Sequence, residues 1–238
     1  MVRPFDPAEA RLYPALIGCD EAGRGALCGP VVVAAVFFDP SLLPPRLLGA
    51  LDDSKRLTAR SRQALAVEIQ QAGLVAVAAS SAARIDSDGI RAMTLDAMRR
   101  AILRLGLAER VLIDGLDIPS DTGLHCEAVV KGDATVPQIA AASIIAKTTR
   151  DRLMAGLGVR HPGYRWERNA GYGTADHLAA LTRLGPTRHH RWSFAPVSER
   201  RAAWAEEAPG WPRKGRAPRT GSGEGGALHP PQAALERS

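Results

Sequence analysis

The sequence predicts a mixed α/β protein in which a β-sheet is flanked by helices and followed by a small helical extension. Three observations predict this class. The apolar runs PALIGCD and VVVAAVFF are joined by a glycine-rich loop, as in two neighbouring strands of a hairpin. Further short apolar runs then alternate with segments of helical periodicity. Beyond about residue 200 the chain is rich in Gly, Pro and Arg without apolar periodicity, which predicts a disordered tail.

Composition and charge limit the classes of protein to which this chain can belong. Its 238 residues are 45% hydrophobic and 24% charged, as in an ordinary globular domain. No apolar run could span a bilayer and the N-terminus lacks the apolar segment of a signal peptide, so we expect a cytoplasmic protein without membrane contact. Cys19, Cys28 and Cys126 have neither disulfide-framework nor zinc-site spacing. The net charge of +6 mildly favours a polyanionic partner.

The first half of the chain continues with two predicted helices and a strand between them. Thr58 caps a helix that runs through ARSRQALAVEIQQAG and ends at Gly73. The run LVAVAAS predicts a third strand. The segment IDSDGIRAMTLDAMRRAILRLG has apolar residues at helical spacing and predicts one amphipathic helix that ends at Gly106.

The second half is predicted to contain two more strands and a long helix. One strand, RVLID, ends at Asp114, and the next, HCEAVVKGD, ends at Asp133. A helix is predicted to open at Thr135, where the spacing to Gln138 is that of a capping box, and a further helix covers TADHLAALTRLG. These elements divide the chain into an α/β core (1–157), a C-terminal helical extension (158–199) and a disordered basic tail (200–238).

Acidic side chains stand where three of the predicted strands end. These are Asp20 with Glu21, Asp114, and Asp133. Because sites form beyond the carboxyl ends of strands in open α/β sheets, these acids can converge although they are far apart in sequence. Gathered carboxylates stay ionised only beside cations, and hard oxygen ligands select Mg²⁺ or Mn²⁺. Such an arrangement suits phosphoryl transfer at a paired-metal site.

The presence of acidic residues at strand ends does not by itself establish a metal site. Acids at strand ends are also common helix caps and turn formers, and the pattern by itself favours that interpretation. Adjacent strand residues also point to opposite faces of a sheet. Asp20 and Glu21 can therefore both face a metal only if the strand ends or bends between them, which the following Ala22 and Gly23 permit.

The loop GRGALCG (23–29) has two interpretations that the sequence leaves open. A dinucleotide cradle is not one of them, because a strand follows the loop where such a cradle would open a helix. The glycines on either side of Arg24 allow the backbone to approach a nucleic-acid strand closely, with Arg24 available for phosphate. A glycine-rich hairpin turn without a ligand explains the loop equally well.

Several ordered segments resemble the bacterial ribonuclease HII family, the type 2 ribonucleases H. The resemblance runs from about residue 15 to residue 197 and rests on GCDEAGRGALCGPVVVAAV, DDSKRLT, IDSDGIRAMTLDAM, VLIDG, VVKGDATVPQIAAASIIAKTTRD, GYGTADH and HHRWSFAPV. It implies a ribonuclease H-like fold with a C-terminal helical extension. It also implies hydrolysis of the RNA strand of RNA/DNA hybrids, and of single ribonucleotides embedded in duplex DNA, which leaves 3′-hydroxyl and 5′-phosphate ends.

The resemblance also implies roles for individual residues. Two Mg²⁺ or Mn²⁺ ions would be bound by the acids already identified: Asp20, Glu21, Asp114 and Asp133. Tyr172 matches a tyrosine that packs on the sugar at the RNA–DNA junction. Gly23, Arg24 and Gly25 match the family segment that detects the ribonucleotide through its 2′-hydroxyl. The positions that match phosphate contacts are Lys55, Ser143 and Lys147. The partners implied are RNA/DNA hybrids and ribonucleotide-containing duplex DNA, bound by a monomer.

The sequence departs from the family pattern at several positions. Asn169-Ala170 stand where relatives often carry His-Lys, Trp192 replaces a common arginine, and Gly89 replaces an asparagine. These departures concern affinity and salt dependence. His189 and His190 are interpreted as structural, since the resemblance implies a metal-activated water. Two alternative functions are a non-catalytic nucleic-acid-binding protein of the same fold and a resolvase- or integrase-type DNA nuclease.

Overall fold

A five-stranded mixed sheet lies at the centre of the computed structural model, which describes residues 14–51, 57–106 and 110–200. The strand order is β3-β2-β1-β4-β5; β1, β2 and β3 pair antiparallel, whereas β1, β4 and β5 pair parallel. This arrangement confirms the predicted mixed α/β class. The strands are β1 (Leu16–Ala22), β2 (Val31–Phe38), β3 (Leu74–Ser80), β4 (Arg110–Asp114) and β5 (His125–Val129).

Helices cover both faces of this sheet and form the C-terminal part of the described chain. They are α1 (Pro45–Ala50), α2 (Ala59–Ala72), α3 (Ala82–Asp88), α4 (Ile90–Leu105), α5 (Pro137–Arg160), α6 (Trp166–Asn169) and α7 (Ala175–Leu184). As predicted, the side chain of Thr58 caps α2 by accepting a hydrogen bond from the Ser61 amide. Among the described helices, none combines the length and the apolar character that crossing a membrane would need.

The two faces of β1 are buried against different helices. Ile17 and Cys19 belong to a core that also contains the buried stripe of α4. Gly18 and Ala22 point the other way, towards the core formed with α1, α2 and α5. Asp20 lies between them in the alternating pattern, so its side chain starts on the face covered by α5.

Helix α5 crosses β1 at very short range, and glycine permits this approach. A Cβ atom on Gly18 would lie 2.2 Å from the carbonyl carbon of Gln138, which is backbone and cannot move aside. Gln138 is itself fully buried, and its Nε2 donates to the carbonyls of Pro14 and Phe38 at 3.1 and 3.2 Å. The helix is thereby fixed over the strand that carries Asp20 and Glu21.

The C-terminal elements pack against the last turns of α5 and against the loop between β1 and β2. One core joins Met154 and Leu157 of α5 to Trp166 of α6 and to Cys28 of the loop. The predicted boundary between residues 157 and 158 falls inside α5, which continues to Arg160. The predicted tail lies outside the described residues from position 201 onward.

Two predicted element ends near the acidic residues were wrong. Strand β5 ends at Val129, and Asp133 lies in a 3₁₀ turn, Gly132–Ala134, because Lys131 has a left-handed backbone with φ 57° and turns the chain. Helix α5 begins at Pro137 and not at Thr135. The capping box does not form there, since the Gln138 amide is used by carbonyls of other segments.

Two further expectations about continuity were also wrong. The segment expected to form one helix is divided into α3 and α4 at Gly89, whose φ of +86° is left-handed and outside helical geometry. Strand β1 does not end between Asp20 and Glu21, because its pairing with β2 continues to Ala22, although its pairing with β4 stops at Cys19. The two acidic side chains therefore start on opposite faces of the sheet.

Candidate active site

Asp20 and Asp114 occupy equivalent positions on neighbouring parallel strands. The ladder between β1 and β4 ends with Cys19 opposite Ile113, so the two aspartates are the next pair beyond it. Leu112, two residues before Asp114, packs with Ile139 of α5, which places Asp114 on the same face as Asp20. Two carboxylates from separate parts of the chain thus meet at one edge of the sheet, below α5.

Burial and neighbouring charge both disfavour ionisation of Asp20. Asp20 is only 6% exposed. Desolvation raises its pKa well above the ordinary aspartate value, and the charges of Glu21, Asp114 and Asp133 raise it further. Only the hydrogen bond from the Glu21 amide, at 2.6 Å, acts in the opposite direction. A cation would relieve this cost.

Asp114 is oriented by the turn that carries Asp133. The amide of Gly132 donates to Oδ1 of Asp114 at 2.7 Å. Asp133 follows directly in the same 3₁₀ turn, and its charge is one of those that raise the pKa of Asp20. The end of β4 and the turn after β5 are therefore joined next to Asp20.

Glu21 lies at the opposite side of the same strand end and contacts the glycine-rich loop. Its Oε1 lies 3.6 Å from Nη1 of Arg24. The other terminal nitrogen of Arg24, Nη2, lies 3.8 Å from Oδ2 of Asp117. Arg91 forms a closer pair with Asp117 at 2.7 Å. Arg24 is half-exposed, so this chain of opposite charges lies at the surface beside the acidic group.

The four acids are near one another but do not form a finished ligand cage. Within residues 14–51, 57–106 and 110–200, no three Asp, Glu, His or Cys side chains are close enough together to hold a metal ion. The donor chemistry nevertheless fits Mg²⁺ or Mn²⁺, because all four groups are carboxylates and the charge on Asp20 is poorly stabilised by the protein alone.

The glycine-rich loop is held from behind by two fully buried arginines, Arg150 of α5 and Arg191. Arg150 donates to the carbonyls of Cys28, Pro30 and Ala170 at 2.8–3.0 Å. Arg191 donates to the carbonyls of Gly23, Arg24 and Gly29 at 2.7–3.1 Å. A planar guanidinium presents several donors in a fixed fork, so each arginine fixes three carbonyls at once.

Sequence reasoning missed both arginines. A buried arginine is rare unless its donors are used, and Arg150 does follow a run of apolar residues in AAASIIAKTTR, which is a weak signal of burial. Nothing local to either residue indicates that the loop about 120 or 160 residues earlier in the chain supplies the acceptors.

The two glycines beside Arg24 differ in whether the fold requires glycine at their position. Gly23 has φ +94°, and a Cβ there would lie 1.9 Å from Nε of Arg150, so the fold itself requires glycine. Gly25 is exposed, its backbone is outside the left-handed region, and no atom lies within 4 Å of the position that a methyl group would take. The fold therefore gives no reason for glycine at position 25.

Tyr172 lies at the surface next to this clamped loop. It is 36% exposed, and its ring is 5.2 Å from the Arg150 guanidinium and 5.9 Å from the Lys147 ammonium. Gly171, immediately before it, accepts a hydrogen bond from the Leu27 amide at 2.8 Å. The loop at residues 23–29 and the turn that carries Tyr172 are thus bonded backbone to backbone.

The remaining predicted nucleic-acid contacts differ in their accessibility. Lys147 is partly exposed and pairs with Asp151 at 2.6 Å, four residues later on α5, as expected for a helix-surface partner. Ser143 is only 5% exposed. Lys55 lies outside the described residues.

The sequence departures at Asn169 and Trp192 are accounted for within the protein. The Asn169 side chain donates to the Tyr164 carbonyl and accepts from the Gly171 amide, both at 2.8 Å, so it stabilises the turn before Tyr172. The Trp192 indole donates to the Thr187 carbonyl at 2.9 Å. Both residues therefore support the C-terminal turns.

Comparison with known proteins supports the resemblance that the motifs indicate. The sequence model of the family described as Ribonuclease HII matches residues 17–197. The ribonuclease HII of Bradyrhizobium diazoefficiens is 54% identical over 186 residues, which are 78% of this chain and 69% of that protein. The predicted relationship to this family is confirmed.

Solved structures agree with the predicted ribonuclease H-like fold. The structure of the PCNA:RNase HII complex from Archaeoglobus fulgidus has a TM-score of 0.66 at 29% identity and covers 78% of this chain and 96% of that one. The structure of Bst-RNase HIII in complex with Mn²⁺ has a TM-score of 0.61 at 20% identity and covers 84% of this chain and 73% of that one. The second likeness concerns the fold alone.

Proposed function

Since this chain belongs to the ribonuclease HII family, we propose that it hydrolyses the RNA strand of RNA/DNA hybrids and incises duplex DNA on the 5′ side of an embedded ribonucleotide. The observation that carries the proposal is the pair of aspartates at equivalent positions of neighbouring parallel strands, Asp20 and Asp114. The raised pKa of Asp20 supports the proposal, because a bound cation would neutralise a carboxylate charge that the protein alone stabilises poorly.

The residues that would hold two divalent ions are Asp20, Asp114 and Asp133, joined by Glu21. Glu21 starts on the other face of β1, but its charge is among those that raise the pKa of Asp20, so its carboxylate lies near the group at the strand end. Bound Mg²⁺ or Mn²⁺ would supply activation of the attacking water and stabilisation of the leaving oxygen. In the reaction, water adds to phosphorus and the bond from phosphorus to the 3′-oxygen of the preceding nucleotide breaks. The products are a 3′-hydroxyl and a 5′-phosphate.

The glycine-rich loop is proposed to recognise the ribonucleotide. Gly25 is exposed and has free space around its Cα, so its backbone can approach a sugar closely. Arg24 is half-exposed and available to a phosphate once it leaves Glu21. Gly23 contributes indirectly, because it allows Arg150 to hold the loop from behind.

Tyr172 is proposed to pack on the sugar that carries the 2′-hydroxyl. Its exposed ring lies 5.9 Å from the partly exposed Lys147 ammonium, which would attract a phosphate backbone. Lys147 and Lys55 are proposed to contact phosphates that flank the junction, whereas Ser143, which is only 5% exposed, is not assigned such a contact. The 2′-hydroxyl is the group that distinguishes RNA from DNA at such a site.

Two alternative functions predict different results in one experiment. A binding protein without catalysis has no use for gathered carboxylates, which repel phosphate, and a DNA nuclease of resolvase or integrase type would cut a duplex that contains no ribonucleotide. The site geometry favours neither, because the acids adjoin a loop suited to close contact with a sugar.

The experiment compares cleavage of three duplexes with Mg²⁺, with Mn²⁺ and with EDTA. The duplexes are an RNA/DNA hybrid, a DNA duplex with one ribonucleotide and an all-DNA duplex. We expect metal-dependent cleavage of the first two only, and loss of that cleavage in Asp20→Asn. Asp176→Asn, which changes an exposed carboxylate paired with Arg165, is the matched control and should retain activity. Cleavage of all-DNA duplex, or binding without cleavage under any condition, would contradict the proposal.

A further inference from the structure

Two fully buried histidines, His177 of α7 and His190, contact each other beneath the turn that carries Tyr172. Their Nε2 atoms are 3.2 Å apart. Two imidazoles can form a hydrogen bond only if one nitrogen carries a proton and the other does not. The neighbouring groups decide which nitrogen is the donor.

The protonation of His190 is fixed by Thr187. The Thr187 amide donates to Nδ1 of His190 at 2.9 Å, so Nδ1 must be unprotonated. In a neutral imidazole the proton is then on Nε2. His190 therefore offers an N–H to His177.

The protonation of His177 is fixed independently by two other groups. The indole N–H of Trp166 donates to Nε2 of His177 at 3.0 Å, so this nitrogen is an acceptor. Nδ1 lies 2.9 Å from the carbonyl oxygen of Tyr172, which can only accept. His177 thus carries its proton on Nδ1 and donates it to Tyr172.

The result is a directed chain of hydrogen bonds from Thr187 through His190 and His177 to the Tyr172 carbonyl. The Trp166 indole and His190 share the single lone pair of His177 Nε2 as their acceptor, and a second proton on either ring would place two donors face to face. Burial, together with the neighbouring His161, His177 and His189, lowers the pKa of His190 to about 3, and burial lowers that of His177. The rings therefore stay neutral near pH 7.

The backbone of Tyr172 is held on both sides. Its amide donates to the Asn169 carbonyl at 2.9 Å, and its carbonyl also accepts from the Thr174 amide at 2.8 Å. The side chain points outward with 36% exposure. The bond from His177 links the Tyr172 carbonyl directly to a fully buried side chain of the C-terminal region.

We propose that His177 and His190 are positioning residues that hold Tyr172 in place against the sugar of the ribonucleotide, which rests on the function proposed above for Tyr172. The histidines do not touch the substrate. They act by fixing the carbonyl, and with it the backbone from which the Tyr172 ring projects.

Two substitutions at position 177 separate positioning from packing. In His177→Asn the side-chain amide nitrogen overlays Nδ1, so the bond to Tyr172 is kept while Trp166 and His190 lose their acceptor. In His177→Gln the side-chain oxygen overlays Nε2, so the acceptor is kept while the bond to Tyr172 is lost. Thermal stability and kcat/KM on an RNA/DNA hybrid are measured for both variants in the full chain.

If His177 positions Tyr172, the two variants should rank in opposite orders in melting temperature and in kcat/KM. His177→Gln should melt at the higher temperature, because it satisfies two buried donors, yet its kcat/KM should be about fivefold lower than that of His177→Asn, the factor expected for one neutral hydrogen bond. A role in packing alone predicts the same order in both, and that result would overturn the proposal.

Removal of the Tyr172 side chain gives the second readout. In a Tyr172→Ala background the two position-177 variants should differ in kcat/KM by less than about twofold, because the residue through which they act is gone. An undiminished difference in that background overturns the proposal. So does the finding that Tyr172→Ala has wild-type activity on both the hybrid and the single-ribonucleotide duplex.

A second pair of variants applies if either position-177 variant does not fold. His190→Gln keeps a donor for His177, whereas His190→Asn keeps only the acceptor for Thr187, so activity should be higher in His190→Gln. The proposed function is tested separately with the wild-type protein. It fails if this protein cleaves the hybrid but leaves the duplex with one ribonucleotide uncut. The variant ratios on the hybrid still decide the inference in that case.

Discussion

Replacing Gly23 with alanine should lower the melting temperature sharply, whereas the same change at Gly25 should leave it nearly unchanged. The two residues are separated only by Arg24 and belong to one loop. They differ in what a methyl group would meet: Nε of Arg150 at 1.9 Å for Gly23 and nothing within 4 Å for Gly25.

The cost at Gly23 has two sources. A side chain at φ +94° costs about 1–3 kcal/mol. The methyl group must also displace Arg150, which is fully buried and donates to three carbonyls, and a hydrogen bond to a charged group contributes about 1.5–3 kcal/mol. With one of these hydrogen bonds lost, the sum is at least about 2.5 kcal/mol, or roughly 5–10 °C for a protein of this size.

The assay is thermal unfolding of both variants, followed by cleavage of the single-ribonucleotide duplex at a temperature where both are folded. Gly25→Ala should melt within about 2 °C of wild type, as surface substitutions usually do. Its cleavage rate should nevertheless fall by about tenfold or more, since the added methyl group would occupy the space proposed for the approach of the sugar.

Equal melting temperatures for Gly23→Ala and wild type would refute the structural reasoning, since Arg150 would then not be packed against that glycine. Full activity in Gly25→Ala would refute the functional reasoning, because the exposed glycine would have no role in contact with the substrate.

Three other predictions follow from the site and its supports. Asp20→Asn should raise the melting temperature by a few degrees in EDTA, because it removes a buried charge whose pKa is raised, while abolishing cleavage. Arg191→Lys should lower the melting temperature by about 4 °C or more, since an ammonium cannot bond three separate carbonyls as the guanidinium fork does. In the Asp20→Asn variant, which lacks the opposing pH dependence of the raised Asp20 pKa, urea unfolding should show full stability above about pH 6.5 and a loss of up to about 1.4 kcal/mol per pH unit below it from His190, which is neutral when folded and titrates at its ordinary pKa when unfolded. A flat profile from pH 7 to 5 in that variant would contradict this.

The strands and the acids at their ends could be predicted because both signals are local. Asp114 ends β4 as the apolar run RVLID indicates, and Asp20 lies at the end of the hydrophobic run in β1. Asp133 was assigned to a strand because nothing in VVKGD distinguishes a strand end from a turn in which Lys131 takes a left-handed backbone.

The parts that could not be predicted depend on contacts between distant segments. Gln138 has capping-box spacing from Thr135, but the carbonyls of Pro14 and Phe38 compete for its amide. Arg150 and Arg191 hold the glycine-rich loop through carbonyl acceptors that lie far away along the chain. Hydrophobic periodicity carries no information about such acceptors.

The most direct test of the account is to map where the protein cuts a DNA duplex that contains one ribonucleotide, with Mg²⁺ or Mn²⁺ present. The account predicts a single incision on the 5′ side of the ribonucleotide, with a 3′-hydroxyl on the upstream fragment, a 5′-phosphate on the downstream one and no cut in the all-DNA duplex. An incision on the 3′ side, a cut in the all-DNA duplex or an intact ribonucleotide-containing strand would contradict it.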